Sequence, residues 1–227
     1  MTQRFSLHPT DPQPRLIRQA AGLVRAGAVV AYPTDSSYAL GCGLDDAAAV
    51  KRIRALRDID ERHHLTLMCR DLADIGRVAR LDNWQFRILR QGVPGSFTFL
   101  LPASREVPRR VQHARRSTIG VRVSDHPVVT ALLHELDGCM LTSTLIVPGE
   151  SEPLNDADEI EARLSAGIDL ILDAGPCPNE PTTVVDLAVD PPVIVRLGRG
   201  DPTHLGLAPP DSAADTRAGR GARTGVK

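Results

Sequence analysis

Residues 28–41 read AVVAYPTDSSYALG, and the rest of the chain is organised around this stretch. Its apolar, β-branched first half predicts a buried strand that stops at Pro33. The hydroxyls and the single carboxylate that follow can hydrogen-bond a ligand, and open α/β sheets bind ligands at the carboxyl ends of their strands. Ordinary turn chemistry explains Pro-Thr-Asp-Ser as well, and these residues alone favour a turn.

The composition indicates one folded domain without a dominant charge. The chain has 227 residues, 42% of them hydrophobic, which is enough to bury a substantial core in a single large α/β domain. The formal net charge is -1, so a nucleic-acid surface would have to be a local patch rather than a property of the whole molecule.

The cysteines and the apolar runs indicate the cellular setting. The four cysteines are far apart and form no C-x-x-C pair, which argues against structural zinc and favours a reduced, cytoplasmic protein. No basic-then-apolar signal pattern begins the chain, and no apolar run approaches the length needed to cross a bilayer. We therefore expect a soluble cytoplasmic protein with no membrane partner.

Apolar periodicity, capping residues and breakers predict the secondary structure. Helices are expected over about residues 12–26, 46–57, 71–80, 82–91, 126–136 and 156–166. Strands are expected over about 28–32, 65–69, 97–101, 118–123, 140–145, 168–173, 182–187 and 192–197, and residues 1–10 read as a lead-in. Helices and strands alternate early, whereas the last two strands follow each other directly, so the predicted fold class is α/β with a mixed sheet covered by helices.

The end of the chain differs in composition from the rest. Beyond about residue 207 it is made of Ala, Gly, Arg, Asp and Thr with scarcely an apolar anchor. We therefore expect one domain over residues 1–206 and a disordered tail over 207–227.

Several familiar catalytic motifs are missing from the sequence. There is no G-x-x-x-x-G-K-[ST], which excludes a P-loop NTPase, and no strand is followed by G-x-G-x-x-G, which disfavours a Rossmann dinucleotide site. No H-E-x-x-H spacing indicates a catalytic metal, and no G-x-S-x-G indicates a hydrolase nucleophile.

What remains is a set of polar clusters at the ends of predicted strands. Because strand ends meet in an α/β sheet, we expect these clusters to line a single cavity. Arginine suits such a cavity, since its planar guanidinium binds phosphate or carboxylate through two hydrogen bonds. Local hydrogen bonds for each Thr or Ser, and a solvated surface for each Arg, are the competing explanations. The clusters are Thr34 to Tyr38, Ser96 with Thr98, Arg122 to His126, Thr142 to Thr144, Thr182 with Thr183, and Arg196.

Taken together, these segments resemble the YrdC/YciO family of threonylcarbamoyl-adenylate synthases. Five matches occur in family order and cover roughly residues 13–200. They are GAVVAYPTDSSYALG at 27–41, PGSFTFLL at 94–101, IGVRVSDHP at 119–127, PTTVVD at 181–186 and RLG at 196–198.

The resemblance implies a twisted, open sheet of the YrdC/RibB type with a positively charged cavity. It also implies a reaction in which ATP, taken with Mg²⁺, L-threonine and bicarbonate form L-threonylcarbamoyl-adenylate for tRNA modification. Arg57 and Ser143 would then be catalytic residues, while Thr34, Arg122, Thr182 and Arg196 would bind substrates. Neither a tightly bound cofactor nor a protein-bound metal is expected.

Two departures from the synthase pattern place the chain nearer to the YciO branch. Where synthases carry K-x-R and S-x-N, this chain has Arg57-Asp58-Ile59 and Ser143-Thr144-Leu145. Losing a guanidinium that neutralises phosphate typically slows a reaction on the order of 10²-fold or more, so synthesis is expected to be weak. The alternative is a protein that binds nucleotide or double-stranded RNA, including tRNA, without efficient chemistry. Its RNA contacts would come from a local patch formed by Arg109, Arg110, Arg115 and Arg116.

Overall fold

The computed structural model describes residues 2–60 and 62–209, which form a ten-stranded sheet and six α-helices. The strands are β1 (Gln3–Ser6), β2 (Val30–Pro33), β3 (Tyr38–Gly43), β4 (Thr66–Met68), β5 (Phe97–Pro102), β6 (Thr118–Arg122), β7 (Met140–Thr144), β8 (Leu170–Asp173), β9 (Thr183–Asp186) and β10 (Val193–Arg196). The helices are α1 (Pro14–Arg25), α2 (Ala47–Arg57), α3 (Leu72–Val78), α4 (Asn83–Gly92), α5 (Pro127–Leu136) and α6 (Ala157–Leu164), with 3-10 helices at Arg109–Val111 and Pro202–Leu205. The predicted α/β class with a mixed, open sheet is confirmed.

The strands run in both directions across one sheet. Their order is β1-β8-β2-β3-β7-β4-β6-β5-β9-β10. Four neighbouring pairs are parallel, namely β1 with β8, β8 with β2, β4 with β6, and β5 with β9. The other five neighbouring pairs are antiparallel. Carboxyl ends of the strands therefore point in both directions, so strand ends alone do not bring the predicted polar clusters together.

Two strands were not predicted. The supposed lead-in contains β1, an edge strand that pairs with β8 and is anchored by an ion pair of 2.8 Å between Arg4 and Asp173. Strand β3 was missed because its large residues alternate with Ala39, Gly41 and Gly43 rather than with polar side chains. The period-2 signal of a half-buried strand needs a polar face, which β3 does not have.

Side chains that alternate along the strands build a core on each face of the sheet. On one face, Leu67 and its equivalents pack beneath α2, α3, α4 and α6, and we call this the four-helix face. On the other, Met68 and its equivalents pack beneath α1 and α5, and we call this the two-helix face. The helices therefore cover both faces, but unequally.

The less covered face carries the polar residues of the central strands. Thr66 and Thr142 lie two positions from residues of the two-helix core, Met68 and Met140, and so share their face. Thr98, Arg122 and Thr142 thus meet through strand alternation on this face. Ser143, one position further along β7, alternates to the four-helix face, where α2 brings Arg57 to it.

Leu207, the first residue of the predicted tail, lies within the described part of the chain. Leu207 packs partly against the core of the four-helix face, and its N–H donates to the carbonyl of Pro202 at 3.1 Å. Residues 210–227 of the predicted tail lie outside the described residues. Within the described part, no helix combines the length and apolar character that a membrane crossing requires.

Candidate active-site cavity

A cavity of about 360 Å³ lies against the two-helix face. Its volume falls in the range of roughly 300–1,000 Å³ that small-molecule pockets occupy. Five of the six residues predicted for the site line it, namely Arg57, Arg122, Ser143, Thr182 and Arg196. Much of the remaining wall bears hydroxyls, from Ser36, Ser37, Thr66, Thr98, Thr142 and Thr144.

Arg57 reaches the cavity from the last turn of α2. Its Nε donates to Ser143 Oγ at 3.3 Å, and its Nη1 donates to the carbonyl of Ile146 at 2.6 Å. Burial lowers the pKa of Arg57 from its ordinary value. Because a guanidinium has five N–H donors, further donors remain for an anion in the cavity.

Arg122, at the end of β6, is held by a buried carboxylate. Its Nη2 lies 2.6 Å from Asp35 Oδ1, and Asp35 also accepts hydrogen bonds from Ser124 and Ser96. Burial opposes ionisation of Asp35, but Arg122 and Ser124 outweigh it and keep the pKa of this carboxyl below its ordinary value.

Arg122 also has an unsatisfied donor. Its Nε is buried and has no hydrogen-bond partner among the described residues. A buried donor without an acceptor costs about 1–3 kcal/mol, so this atom favours an oxygen-bearing ligand in the adjoining cavity.

Arg196 is positioned by the chain that enters β9. Its Nε and Nη2 donate to the carbonyl of Thr182 at 3.2 and 2.9 Å, and the Thr182 hydroxyl lies 2.8 Å from that of Thr98. The segment after β10 passes close to the backbone that precedes β9. This approach requires Gly198, because a Cβ there would lie 2.1 Å from the carbonyl oxygen of Pro181. Burial, followed by the charge of Arg122, lowers the pKa of Arg196.

The sixth predicted residue, Thr34, is absent from the cavity wall. Its buried hydroxyl donates to the carbonyl of Ser37 at 2.7 Å and accepts from the backbone N–H groups of Ser36 and Ser37. It thus closes the turn between β2 and β3, as the simple turn interpretation expects. This turn in turn places Ser36 and Ser37 in the wall.

Three further cavity residues, Arg62, His63 and His64, lie on a loop outside the polar clusters at the predicted strand ends. Burial, then the charges of His113 and Arg116, lowers the pKa of His64 to about 4. Burial and the charge of Arg57 also lower the pKa of His63. In the sequence, only its charged residues distinguish this loop, and charged residues are ordinary for a solvated segment.

The cavity wall is cationic. Within residues 2–60 and 62–209, the wall includes four arginines and no carboxylate. The same residues contain no group of three or more His, Cys, Asp or Glu that could hold a metal ion. The arrangement suits phosphate, carboxylate or carbonate groups, which need cations and hydrogen-bond donors.

The two departures from the synthase pattern lie outside the wall. Leu145 is 1% exposed in the core of the four-helix face, and Ile59 packs partly against that core. Both residues therefore replace polar side chains with packing contacts.

The four predicted RNA-contacting arginines are exposed but not equivalent. Arg110 donates to the carbonyl of Asp45 at 2.5 Å, and Arg116 forms an ion pair of 2.7 Å with the buried Asp186. Within the described part of the chain, the guanidiniums of Arg109 and Arg115 have no such partner. Of the four arginines, Arg109 and Arg115 are therefore the two whose charge no other described residue pairs with.

Comparisons with known proteins agree with this fold. The family model for Sua5, YciO and YrdC proteins, described as "Telomere recombination", matches residues 22–198. The uncharacterised protein YciO of Escherichia coli K12 is 46% identical over 201 residues, covering 88% of this chain and 98% of YciO. A threonylcarbamoyl-AMP synthase of Halorhodospira halophila is 35% identical, covering 72% of this chain and 85% of that protein.

Solved structures give the same result. The crystal structure of E. coli YciO superposes with a TM-score of 0.88 at 45% identity, covering 90% of this chain and all of YciO. P. abyssi Sua5 in complex with L-threonine superposes with a TM-score of 0.80 at 27% identity, covering 87% of this chain and 58% of Sua5. With these matches and the cavity described above, the chain belongs to the Sua5/YciO/YrdC family.

Proposed function

We propose that the protein binds ATP in the cavity and forms L-threonylcarbamoyl-adenylate from ATP, L-threonine and bicarbonate at a low rate. The observation that carries the proposal is the convergence of Arg57, Arg122 and Arg196 on one wall without a carboxylate. Three guanidiniums in a partly enclosed space match a ligand with several negative charges.

This reaction requires the protein to position the reactants and to supply positive charge. The amine of threonine attacks the carbon of bicarbonate, water leaves, and the resulting carbamate oxygen attacks the α-phosphorus of ATP and expels pyrophosphate. Cations that stabilise charge developing on the phosphates, and hydroxyls that orient the reactants, are sufficient protein groups for this sequence. ATP arrives with Mg²⁺ ligated by its own phosphates, since hard oxygen ligands suit this ion and the described wall offers no carboxylate.

Two findings support the choice of substrates. The Halorhodospira relative is named a threonylcarbamoyl-AMP synthase, and the P. abyssi structure is a complex with L-threonine. The positions of Ile59 and Leu145 support the low rate, because apolar side chains there supply neither a cation nor an amide to the transition state.

Purified protein with ATP, L-threonine and bicarbonate tests the proposal. We expect threonine-dependent release of pyrophosphate with matching adenylate, and ATP binding by calorimetry. Arg57→Met and Arg196→Met each remove a charge-assisted contact and are expected to weaken ATP binding about 10- to 100-fold. Arg18→Met, which removes an exposed arginine of α1, is the matched control and should bind ATP normally. Absence of both ATP binding and pyrophosphate release in the native protein would contradict the proposal.

Binding of double-stranded RNA without efficient synthesis is the second candidate. The observation that favours it is a second cavity, of about 600 Å³, whose wall includes Arg80, Arg105, Arg109 and His113. Phosphate backbones are bound by such clusters. Aromatic residues make up only 3% of the chain, so RNA would be held through phosphates and shape rather than by stacked bases.

A further inference from the structure

Strands β4 and β7 bring two cysteines together beyond their last paired residues. Cys69 directly follows β4, and Cys139 directly precedes β7. The antiparallel register pairs Met68 with Met140, and the next opposed pair in that register is Cys69 with Cys139. Directly opposed residues of antiparallel strands have Cα atoms about 4.5–5.5 Å apart, within the ~4.4–6.8 Å that disulfides span.

The side chains face each other. The two Sγ atoms lie 3.2 Å apart, with the Cys139 thiol donating to Cys69. The other two thiols, Cys42 and Cys177, have no thiol partner within the described residues, and burial is the main cause that raises their pKa to about 12 and about 11. Geometry therefore selects one pair out of the four cysteines.

The two thiols differ in access. Cys69 is fully buried, whereas Cys139 is partly exposed. The hydrogen bond from Cys139, together with burial, raises the pKa of the Cys69 thiol. An oxidant in solution therefore reaches Cys139 first, and Cys69 acts as the resolving thiol behind it.

Neighbouring charges already hold the two chain segments in place. Arg70 follows Cys69 and forms an ion pair of 2.6 Å with Asp137, which lies two residues before Cys139. The same guanidinium lies 2.7 Å from Asp74. These ion pairs keep Cys69 and Cys139 close together, and bond formation brings their Sγ atoms from 3.2 Å to the ~2.05 Å of a disulfide.

We propose that Cys69 and Cys139 form a reversible cross-strand disulfide in the folded protein, with a low-molecular-weight disulfide such as glutathione disulfide as oxidant. The Cys139 thiolate attacks one sulfur of glutathione disulfide, forming a mixed disulfide and releasing one glutathione thiolate. The Cys69 sulfur then attacks the Cys139 sulfur and releases the second glutathione thiolate. The two protons of the protein thiols pass to the two glutathiones, so the pair is oxidised as glutathione disulfide is reduced.

The disulfide would close the loop that contains α3, α4, β5, β6 and α5. Cross-linking a loop of this length restricts the unfolded chain, and we expect oxidation to raise the Tm by about 5–10 °C. It would also tie together the strands that carry Thr66 and Thr142 to the cavity wall.

Native protein in glutathione buffers of graded redox potential, followed by alkylation and peptide mass spectrometry, tests the proposal. We expect loss of two hydrogen atoms, one crosslinked peptide pair containing Cys69 and Cys139, and full reversal by reduced glutathione. Cys69→Ala should instead accumulate one glutathione on Cys139. Cys42→Ser with Cys177→Ser, the control variant, should form the same bond as the native protein.

Three outcomes would overturn the proposal. One is a native protein that keeps four free thiols in the most oxidising buffer. Another is a stable glutathione adduct on Cys139 despite the presence of Cys69. The third is a bond that forms only in denaturant. Should Cys69→Ala fail to fold, Cys139→Ser replaces it and must show no intramolecular bond.

Discussion

At the scale of single residues, the sequence identified the cations of the cavity but not what holds them. Arg122 and Arg196 were recognisable as arginines in polar clusters at predicted strand ends, whereas Arg57, at the end of a predicted helix, came from the family resemblance. Their partners are a carboxylate distant in sequence, Asp35, and backbone carbonyls such as that of Thr182. Carbonyl partners carry no side-chain signal, and the ion pair joins residues that only the sheet brings together.

The Arg122–Asp35 pair makes a prediction about stability and pH. Arg122→Met leaves Asp35 buried without its cation, which is expected to cost about 3–5 kcal/mol of unfolding free energy at pH 7. The lowered pKa of Asp35 stabilises the native protein above the ordinary carboxyl pKa of about 4, and this contribution is lost as the pH falls through the lower, folded value. In the variant, burial raises the pKa of Asp35 instead.

The free-energy difference between native protein and Arg122→Met should therefore narrow on acidification from pH 7 to pH 3. Urea unfolding at both pH values measures it, with Arg18→Met as the control for loss of one exposed arginine. A difference that is independent of pH would show that the ion pair is not what the variant removes. Adding Asp35→Asn should recover part of the lost stability, because it removes the stranded charge.

Reversing the two departures from the synthase pattern is expected to change stability by unequal amounts. Leu145→Asn places an amide in an apolar core and is expected to cost about 2–5 kcal/mol. Ile59→Arg, at a partly exposed position, should change the unfolding free energy by less than about 1 kcal/mol. Chemical denaturation of each single variant and of the double variant checks this. A stable Leu145→Asn variant would show that the position can reach solvent or the cavity.

At the scale of elements, the helices were predictable because apolar spacing and capping residues mark them. Two strands that lack alternation of polar and apolar side chains were not. All six helices were expected from spacing and caps, for example α2, whose N-cap residue Asp46 accepts from the backbone N–H of Ala49 at 2.9 Å. Strand β3 lacks a polar face, and β1 is short and partly exposed, so neither had the alternation that marks a strand. The polar loop at residues 34–37 was correctly placed, yet its best-matching residue, Thr34, serves the turn.

The segment after β10 makes a prediction of its own. Gly198→Ala would force a Cβ against backbone atoms of Pro181 and Thr182, which cannot move as a side-chain end does. We expect the segment to shift, Arg196 to lose its bond to the Thr182 carbonyl, and ATP affinity to fall about 10-fold. Gly22→Ala in α1, where a Cβ meets nothing within 4 Å, is the control and should be neutral or slightly stabilising. Unchanged ATP affinity in Gly198→Ala would mean that Arg196 does not contribute to the site.

At the scale of the whole molecule, the mixed sheet was predictable from the sequence, and the site was placed by the rule that open α/β sheets bind ligands at the carboxyl ends of their strands. The residues nevertheless meet, because polar positions in β4, β5, β6 and β7 fall on the same face once register is set. Register between distant strands depends on the packing of both cores, which no local pattern specifies.

Charge distribution over the surface predicts how RNA would bind. Replacing Arg109 and Arg115 with alanine should weaken binding of double-stranded RNA and reduce the slope of log affinity against log salt by about 1–2. Replacing Arg15 and Arg18 on α1 removes the same charge on the other side of the sheet and should leave the slope unchanged. Filter binding at several salt concentrations compares the two variants. Equal effects would show that only net charge matters.

Strands form the floor of the cavity, and their geometry fixes the distances between the residues that face it. Thr142, Thr66, Gly120 and Leu100 lie side by side on four adjacent strands. Neighbours across such a row are about 4.8 Å apart, and successive positions on one face of a strand are about 6.7 Å apart. Of this row, Thr66 and Thr142 present hydroxyls to the cavity, so a bound molecule meets these two donors at a separation set by the strands. Selectivity among polyphosphates of different length should therefore follow this spacing.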